Sequence, residues 1–157
     1  MLQSGDGVGA EVSFSPRWWA FIGSTRIFVR SFCGEIFDQD MSSRIAMAAH
    51  ELLENAAKYS RSPDSPITCS FRVDDACVRV MVTNHPLPEH IPALAEELAS
   101  VNAGDAFETY VRKMEESLQS DRSRLGLARI RCLGGARLDL TIEGGQVELT
   151  ATFDRPV

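Results

Sequence analysis

Apolar and polar positions alternate along the chain in patterns that predict both strands and helices. Val12 and Phe14 alternate with polar neighbours, as expected of a short first strand. Apolar residues then recur at helical steps over residues 16–38, which predicts one helix with a proline in its first turn. Trp18 and Trp19 belong to this helix. We expect both in the core, because large aromatic side chains at helical spacing mostly pack inside; an exposed anchor for a protein partner is the alternative.

A second helix is expected from Ser42 or Ser43, both good N-cap residues, to Tyr59. With about 100° per residue, its apolar side chains fall in one stripe that should pack against a sheet. That stripe consists of Ile45, Ala49, Leu52, Leu53 and Ala56. The helix therefore has a buried side, and a separate group of polar side chains projects away from it.

The rest of the chain predicts four strands and three helices. Alternating patterns place the strands at residues 67–73, 76–83, 137–142 and 147–153. Helical patterns occur at residues 91–101, 105–119 and 123–132. Short turns join the strands of each pair, at Asp74 and Asp75 and at Gly144 and Gly145. This order predicts an α/β (α+β) two-layer sandwich, in which helices cover one face of a mixed, mostly antiparallel sheet.

Length and charge narrow the class of protein. A chain of 157 residues fits one core, with residues 1–9 as a flexible leader and residues 10–157 as a single domain. A formal net charge of -6 argues against nucleic-acid binding, which depends on clustered Lys and Arg. No stretch approaches the roughly 20 apolar residues of a membrane span, and the first residues lack a secretory signal. We therefore expect a cytoplasmic protein without membrane contact.

The cysteines and histidines show neither metal-site nor redox spacing. The chain lacks a C-x-x-C pair, so we expect reduced thiols in the core rather than a zinc or redox site. These cysteines are Cys33, Cys69, Cys77 and Cys132. The histidines likewise show no metal-ligand spacing with other candidates. A metal cluster held by protein side chains alone is therefore not expected.

Three polar residues of the second helix could form a functional site. Glu51, Asn55 and Lys58 follow one another at helical steps and project into a narrow sector away from the apolar stripe. A carboxylate can accept a proton, an amide oxygen can bind Mg²⁺, and an ammonium can neutralise phosphate, so the trio suits a nucleoside triphosphate. The alternative is an ordinary solvated helix face on which Glu54 and Lys58 form a weak ion pair.

Two sequence motifs connect this trio to a known family. Residues 50–60, HELLENAAKYS, resemble the N-box of the GHKL ATPase and kinase superfamily, and residues 123–130, SRLGLARI, resemble its second glycine box. The resemblance covers about residues 10–154 and implies a GHKL (Bergerat-like) fold. A glutamate four residues before the N-box asparagine is similar to the anti-sigma-factor serine kinases, whereas sensor histidine kinases more often carry asparagine there.

The resemblance implies ATP and Mg²⁺ as ligands and assigns roles to individual residues. It implies Glu51 as the general base, Asn55 as a Mg²⁺ ligand and Lys58 as a phosphate contact. Gly126 would meet the phosphates at the start of a helix, where unpaired backbone N–H groups favour anions. The neighbours of Gly126 in this implied phosphate site are Arg124, Leu125 and Leu127.

Both glycine boxes depart from the family pattern. Asn84 stands where the family carries an aspartate that accepts a hydrogen bond from the adenine amino group; the amide oxygen can still accept it, more weakly. Pro86 and Pro88 replace glycines and make their loop rigid. Arg122 and Arg124 replace glycines of the second box, where they would either bind phosphates or fill the phosphate space.

The leading hypothesis is an ATP-binding regulatory domain of the anti-sigma or partner-switching type. Its partner would be a STAS-type anti-anti-sigma protein or a sigma-like regulator, with a serine or threonine of that partner as the phosphate acceptor. The alternative is a non-catalytic GHKL-fold interaction module that binds nucleotide weakly or not at all. Residues 91–121 correspond to the family's ATP lid and would be either a mobile lid or a packed, partner-binding element. Enzyme activity and a homodimer both stay open.

Overall fold

One strand, two helices, two strands, three helices and two strands follow one another in the computed structural model, which describes residues 7–118 and 125–156. The strands are β1 (Val8–Phe14), β2 (Ile67–Val73), β3 (Cys77–Asn84), β4 (Arg137–Glu143) and β5 (Gln146–Asp154). The helices are α1 (Phe21–Gly34), α2 (Gln39–Tyr59), α3 (Ile91–Asn102), α4 (Ala106–Leu118) and α5 (Leu125–Cys132). The strands form one sheet in the order β1-β2-β3-β5-β4. None of these helices is long and apolar enough to cross a lipid bilayer.

The hydrophobic core lies between the sheet and the helices that cover it. Alternate side chains of β2 are buried, as expected of a strand with one face in the core. All residues of the apolar stripe predicted for the second helix are buried in α2. Every neighbouring pair of strands is antiparallel, so the sheet is antiparallel throughout rather than mixed. The predicted α+β two-layer sandwich is confirmed.

Helix α2 begins earlier than predicted. Its N-cap is Asp38, whose Oδ1 accepts a hydrogen bond of 2.8 Å from the backbone amide of Met41. Ser42 and Ser43, the predicted N-caps, lie inside the helix, and the buried Ser42 hydroxyl donates to the Asp38 carbonyl. The predicted start was wrong because several successive polar residues can each cap a helix, and the packing of Met41 and Ser42 into the core selects the earlier one.

The predicted first helix is divided, and its tryptophans are not buried. Residues 16–18 form a short 3-10 turn, and α1 begins only at Phe21. Trp18 and Trp19 are 57% and 49% exposed, so the expectation of a core position was wrong. Both precede α1 and therefore fall outside its core-facing stripe. That stripe consists of Ile22, Thr25, Val29 and Cys33.

The sheet begins closer to the N-terminus than expected. Val8 pairs with Val73 and Gly9 with Arg72, so these two residues belong to β1 and not to a leader. Gly7 is described and lies outside β1, and residues 1–6 of the predicted leader lie outside the described residues. The edge strand is longer than predicted because backbone pairing with β2 extends past the last clearly alternating apolar position.

The cysteines are free thiols, and three of the four are buried, with Cys132 half-buried. Burial raises the pKa of the Cys33 thiol to about 11 and that of Cys69 to about 12. Thiols with such values stay protonated at neutral pH, and a protonated thiol is a poor nucleophile. The burial of Cys33, Cys69 and Cys77 agrees with the expectation of core residues.

The described part of the predicted lid segment, residues 91–118, packs against the domain. Leu98 and Val101 of α3 and Lys113 of α4 are buried. Arg131 of α5 donates hydrogen bonds of 2.6 Å to the carbonyls of Val101 and Gly104. A cation at the C-terminal end of a helix satisfies carbonyl groups that have no partner within the helix. The contacts agree with a packed element in this structure.

A buried ion pair joins the two helices of the lid segment. Lys113 Nζ lies 3.2 Å from Glu97 Oε2, with the side chains 7% and 13% exposed. We expect Glu97→Gln to lower the free energy of unfolding by about 1 kcal/mol, because the buried ammonium loses its buried charged partner. Glu116→Gln is the matched control: it lies 3.6 Å from the same ammonium but is largely exposed, so a change below about 0.5 kcal/mol is expected. Equal losses of unfolding free energy for the two variants in chemical denaturation would contradict the importance of the buried pair.

Candidate functional site

A cavity of about 620 Å³ opens beside the second half of α2. Its volume lies within the range of about 300 to 1,000 Å³ that is usual for small-molecule sites. Side chains from α2, β3, α3, α5 and β5 line it. Predicted site residues in its wall are Glu51, Asn55, Lys58, Asn84, Gly126 and Leu127. The tertiary structure thus gathers at one place residues that are far apart in the sequence.

Glu51 and Gly126 meet at the wall of the cavity. A Cβ atom added to Gly126 would lie 2.6 Å from Oε2 of Glu51, so the absence of a side chain lets α5 approach α2 this closely. Asn55 lies one helical turn after Glu51 and lines the same cavity. The helix of the first motif and the glycine of the second motif are therefore neighbours, which the nucleotide hypothesis requires.

Arg129 of α5 forms an ion pair with Glu51. Its Nη1 lies 2.5 Å from Oε1 of Glu51, and the side chains are 35% and 13% exposed. Burial acts to lower the pKa of Arg129, but the hydrogen bond and charge of Glu51, with a smaller contribution from Tyr110 of α4, raise that pKa above its ordinary value. The carboxylate that the resemblance marks as a general base is thus held by a cation in this structure.

Lys58 lies at the exposed end of α2, and its Nζ is 5.5 Å from the centre of the Tyr59 ring. Glu54, which would pair with Lys58 on an ordinary solvated helix face, lies 3.1 Å from Nε2 of His50 instead. No described residue forms an ion pair with Lys58. Lys58 thus lines the cavity, and no carboxylate in the described part of the chain holds its ammonium elsewhere.

Asn84 ends β3 and is buried, and its side-chain amide is fixed in orientation. Nδ2 donates a hydrogen bond of 3.0 Å to the carbonyl of Ala56, which can only accept. The opposite atom, Oδ1, is the one that can accept a hydrogen bond from a ligand. The loop that follows is held by an isolated β-bridge between Pro86 and Ser60. The proline loop is therefore tied to the C-terminal end of α2.

The second motif is placed only in part. Gly126 and Leu127 line the cavity, whereas Leu125 begins α5 without taking part in the cavity wall. Arg122 and Arg124 lie outside the described residues. Whether they bind phosphates or fill the phosphate space stays a prediction.

The cavity wall also contains residues that were not predicted for the site, among them Trp19, Glu97 and Arg129. Arg129 follows Gly126 by three residues, which places both on one side of a helix, so helical spacing could have indicated it. Trp19 and Glu97 reach the cavity through the packing of distant segments. No local pattern marks them.

The chemistry of these side chains fits a nucleotide with a divalent cation. Glu51 and Asn55 provide oxygen atoms of the kind that Mg²⁺ prefers. Lys58 and Arg129 provide cations suited to phosphate groups. Beside Asn84, apolar side chains form a wall that could accommodate a planar base; they include Leu52, Val82, Leu127 and Leu149.

Comparison with solved structures shows the fold of this domain in another protein. A chain in the crystal structure of the SiaB-SiaC complex from Pseudomonas aeruginosa is similar over 90% of this chain and 88% of its own length, with a TM-score of 0.73 and 15% identity. The mycobacterial sensor histidine kinase MprB aligns over 96% of this chain and 100% of its own, with a TM-score of 0.47 and 17% identity. No protein-family model and no curated protein matches the sequence. The α+β fold of this domain is therefore shared with the chain of the SiaB-SiaC complex.

Proposed function

We propose that this protein is an ATP-binding regulatory domain of the partner-switching type. The observation that carries the proposal is the contact between Glu51 and Gly126 at one cavity, because it joins the two motifs that resemble the GHKL nucleotide site. The proposal assigns Asn55 to Mg²⁺ and Lys58 to phosphate. It assigns the Asn84 Oδ1 atom to the adenine amino group.

We propose a protein partner as the target of regulation. Support comes from the structural neighbour, which was crystallised in a complex of two proteins. A STAS-type anti-anti-sigma protein or a sigma-like regulator is the proposed class, and its serine or threonine is the proposed phosphate acceptor. In that reaction Glu51 would accept the hydroxyl proton while bound ATP supplies the phosphoryl group. A homodimer of this chain is compatible with the same scheme.

A second candidate function is favoured by the ion pair of Glu51. A general base must offer an oxygen to the hydroxyl proton, and here Arg129 lies 2.5 Å from Oε1. A protein that kept this pair at all times would act as a non-catalytic interaction module. Nucleotide binding and phosphoryl transfer must therefore be tested separately.

Nucleotide binding is tested by thermal shift with ATP and ADP, with and without Mg²⁺. A ligand at 100 times its Kd is expected to stabilise the wild type by about 2.7 kcal/mol. We expect Asn55→Ala to lose the Mg²⁺-dependent part of this shift. The control is Asn102→Ala, since Asn102 lies outside the cavity and donates to the Leu138 carbonyl; its melting point falls, but its ATP shift should be retained. A wild-type protein whose melting temperature does not change with any of these nucleotides would refute the binding proposal.

Phosphoryl transfer is tested with labelled ATP and a purified STAS-type partner that binds the protein. The expected result is label on the partner with the wild type and none with Glu51→Gln. Glu54→Gln is the matched control, because Glu54 lies on the same helix but pairs with His50. A bound partner that remains unlabelled in the presence of bound ATP would favour the interaction module.

A further inference from the structure

We propose that Arg129 is a phosphate-binding residue that leaves Glu51 when a nucleoside triphosphate enters the cavity. The inference rests on the proposed nucleotide site and adds a contact that the two sequence motifs do not contain. It also sets an order of events, since Oε1 of Glu51 becomes available to accept a proton only after ligand has taken over Arg129.

The first step of the argument is position. Arg129 and Gly126 lie one turn apart on α5, and both contact the same carboxylate of α2. A ligand phosphate at the N-terminal turn of α5, beside Gly126, would therefore enter the reach of the guanidinium. Both residues line the same cavity.

The second step is competition between anions. A guanidinium has five N–H donors in a planar fork that matches phosphate oxygens in pairs. Glu51 accepts a hydrogen bond from Nη1 alone among these donors. A terminal phosphate carries more charge than a carboxylate and offers three oxygens, so it competes well for the same cation.

The third step is the accessibility of Arg129. Arg129 is about one-third exposed, so the arginine can turn away from Glu51 without crossing a closed core. Helix α5, which carries Arg129, also packs against α4 of the predicted lid segment.

Affinities for ATP and AMP, both with Mg²⁺, test the phosphate contact. Trp19 lines the cavity and is one of two tryptophans, so Trp18→Phe leaves a single fluorescent reporter of binding. In that background we expect Arg129→Gln to weaken the binding of ATP at least about tenfold and the binding of AMP less than about twofold. Arg129→Lys should recover part of the loss, because it retains the charge without the fork. The control is Arg131→Gln, whose guanidinium binds carbonyls of the α3 end; its ratio of ATP to AMP affinity should match the wild type.

A double-mutant cycle tests the exchange itself. We expect Glu51→Gln and Arg129→Gln to be coupled by about tenfold in the unfolding equilibrium without ligand, and by less than about twofold with saturating ATP and Mg²⁺. Coupling that persists with bound ATP would overturn the exchange and leave the nucleotide site intact. The exchange would also be overturned if Arg129→Gln weakened the binding of ATP and of AMP equally, or if it bound ATP more tightly than the wild type does. Absence of nucleotide binding in the wild type and in Arg129→Gln alike would remove the proposed function and the exchange together.

Discussion

Phe71→Ala is expected to lower the free energy of unfolding by about 3 to 5 kcal/mol, as large-to-small changes of fully buried aromatic residues do. Phe71 of β2 is fully buried. Its ring lies 4.9 Å from that of Phe32 and 5.7 Å from that of Phe28, both in edge-on arrangements. The substitution removes these ring contacts and leaves a cavity between α1 and the sheet. Chemical denaturation followed by circular dichroism measures the change.

A control on α1, the helix whose rings contact Phe71, separates the effect of burial from that of apolar character. Ile27 of α1 is 71% exposed, so Ile27→Ala removes a large apolar side chain that packs little. A change within about 0.5 kcal/mol is expected. If Phe71→Ala and Ile27→Ala lower the free energy of unfolding equally, α1 does not pack on the sheet in this way.

Gly134→Ala is expected to destabilise the fold by about 1 to 3 kcal/mol through overpacking. A Cβ atom at Gly134 would collide with the backbone carbonyl of Ile130 in the last turn of α5. A backbone carbonyl cannot move aside as a flexible side chain can. The Gly134 carbonyl also accepts a hydrogen bond of 2.8 Å from Nη1 of Arg44 on α2. Relief of the collision would shift α5, so under the proposed function we expect weaker nucleotide binding together with lower stability.

Gly23→Ala is the matched control and should have the opposite sign. Gly23 lies within α1 and has nothing within 4 Å of the position that its Cβ would occupy. Alanine is the better helix former, so a gain of about 0.5 to 1 kcal/mol is expected. A loss at Gly23, or no change at Gly134, in denaturation curves would contradict the described backbone.

Elements with strong local signals were predicted well. The closing hairpin turns at Gly144 and Gly145, and both have positive φ, as its glycine pair indicated. The end of α2 at Tyr59 also agrees with the polar break after it. The start of α2 and the fate of Trp18 and Trp19 were not predicted, because cap choice and aromatic burial depend on what the rest of the fold places beside them.

In the candidate site, too, local sequence patterns predicted some features and tertiary packing set the others. Helical spacing alone places Glu51, Asn55 and Lys58 on one side of α2, and the structure puts all three at the cavity. The ion pair between Glu51 and Arg129 joins residues on two helices that are remote in sequence. No local pattern predicts that Glu51, the general base implied by the family resemblance, has an arginine as its ion-pair partner.

The sequence by itself determined the order of strands and helices, the buried stripe of α2 and the polar trio beside it, because these follow from periods of two or 3.6 residues within one segment. The tertiary structure alone decided that α5 lies against α2, that Glu51 is paired and that Trp19 and Glu97 reach the cavity. The reason is physical: distances between remote segments depend on how helices and sheet pack, and that packing reflects the whole core rather than any one stretch of it.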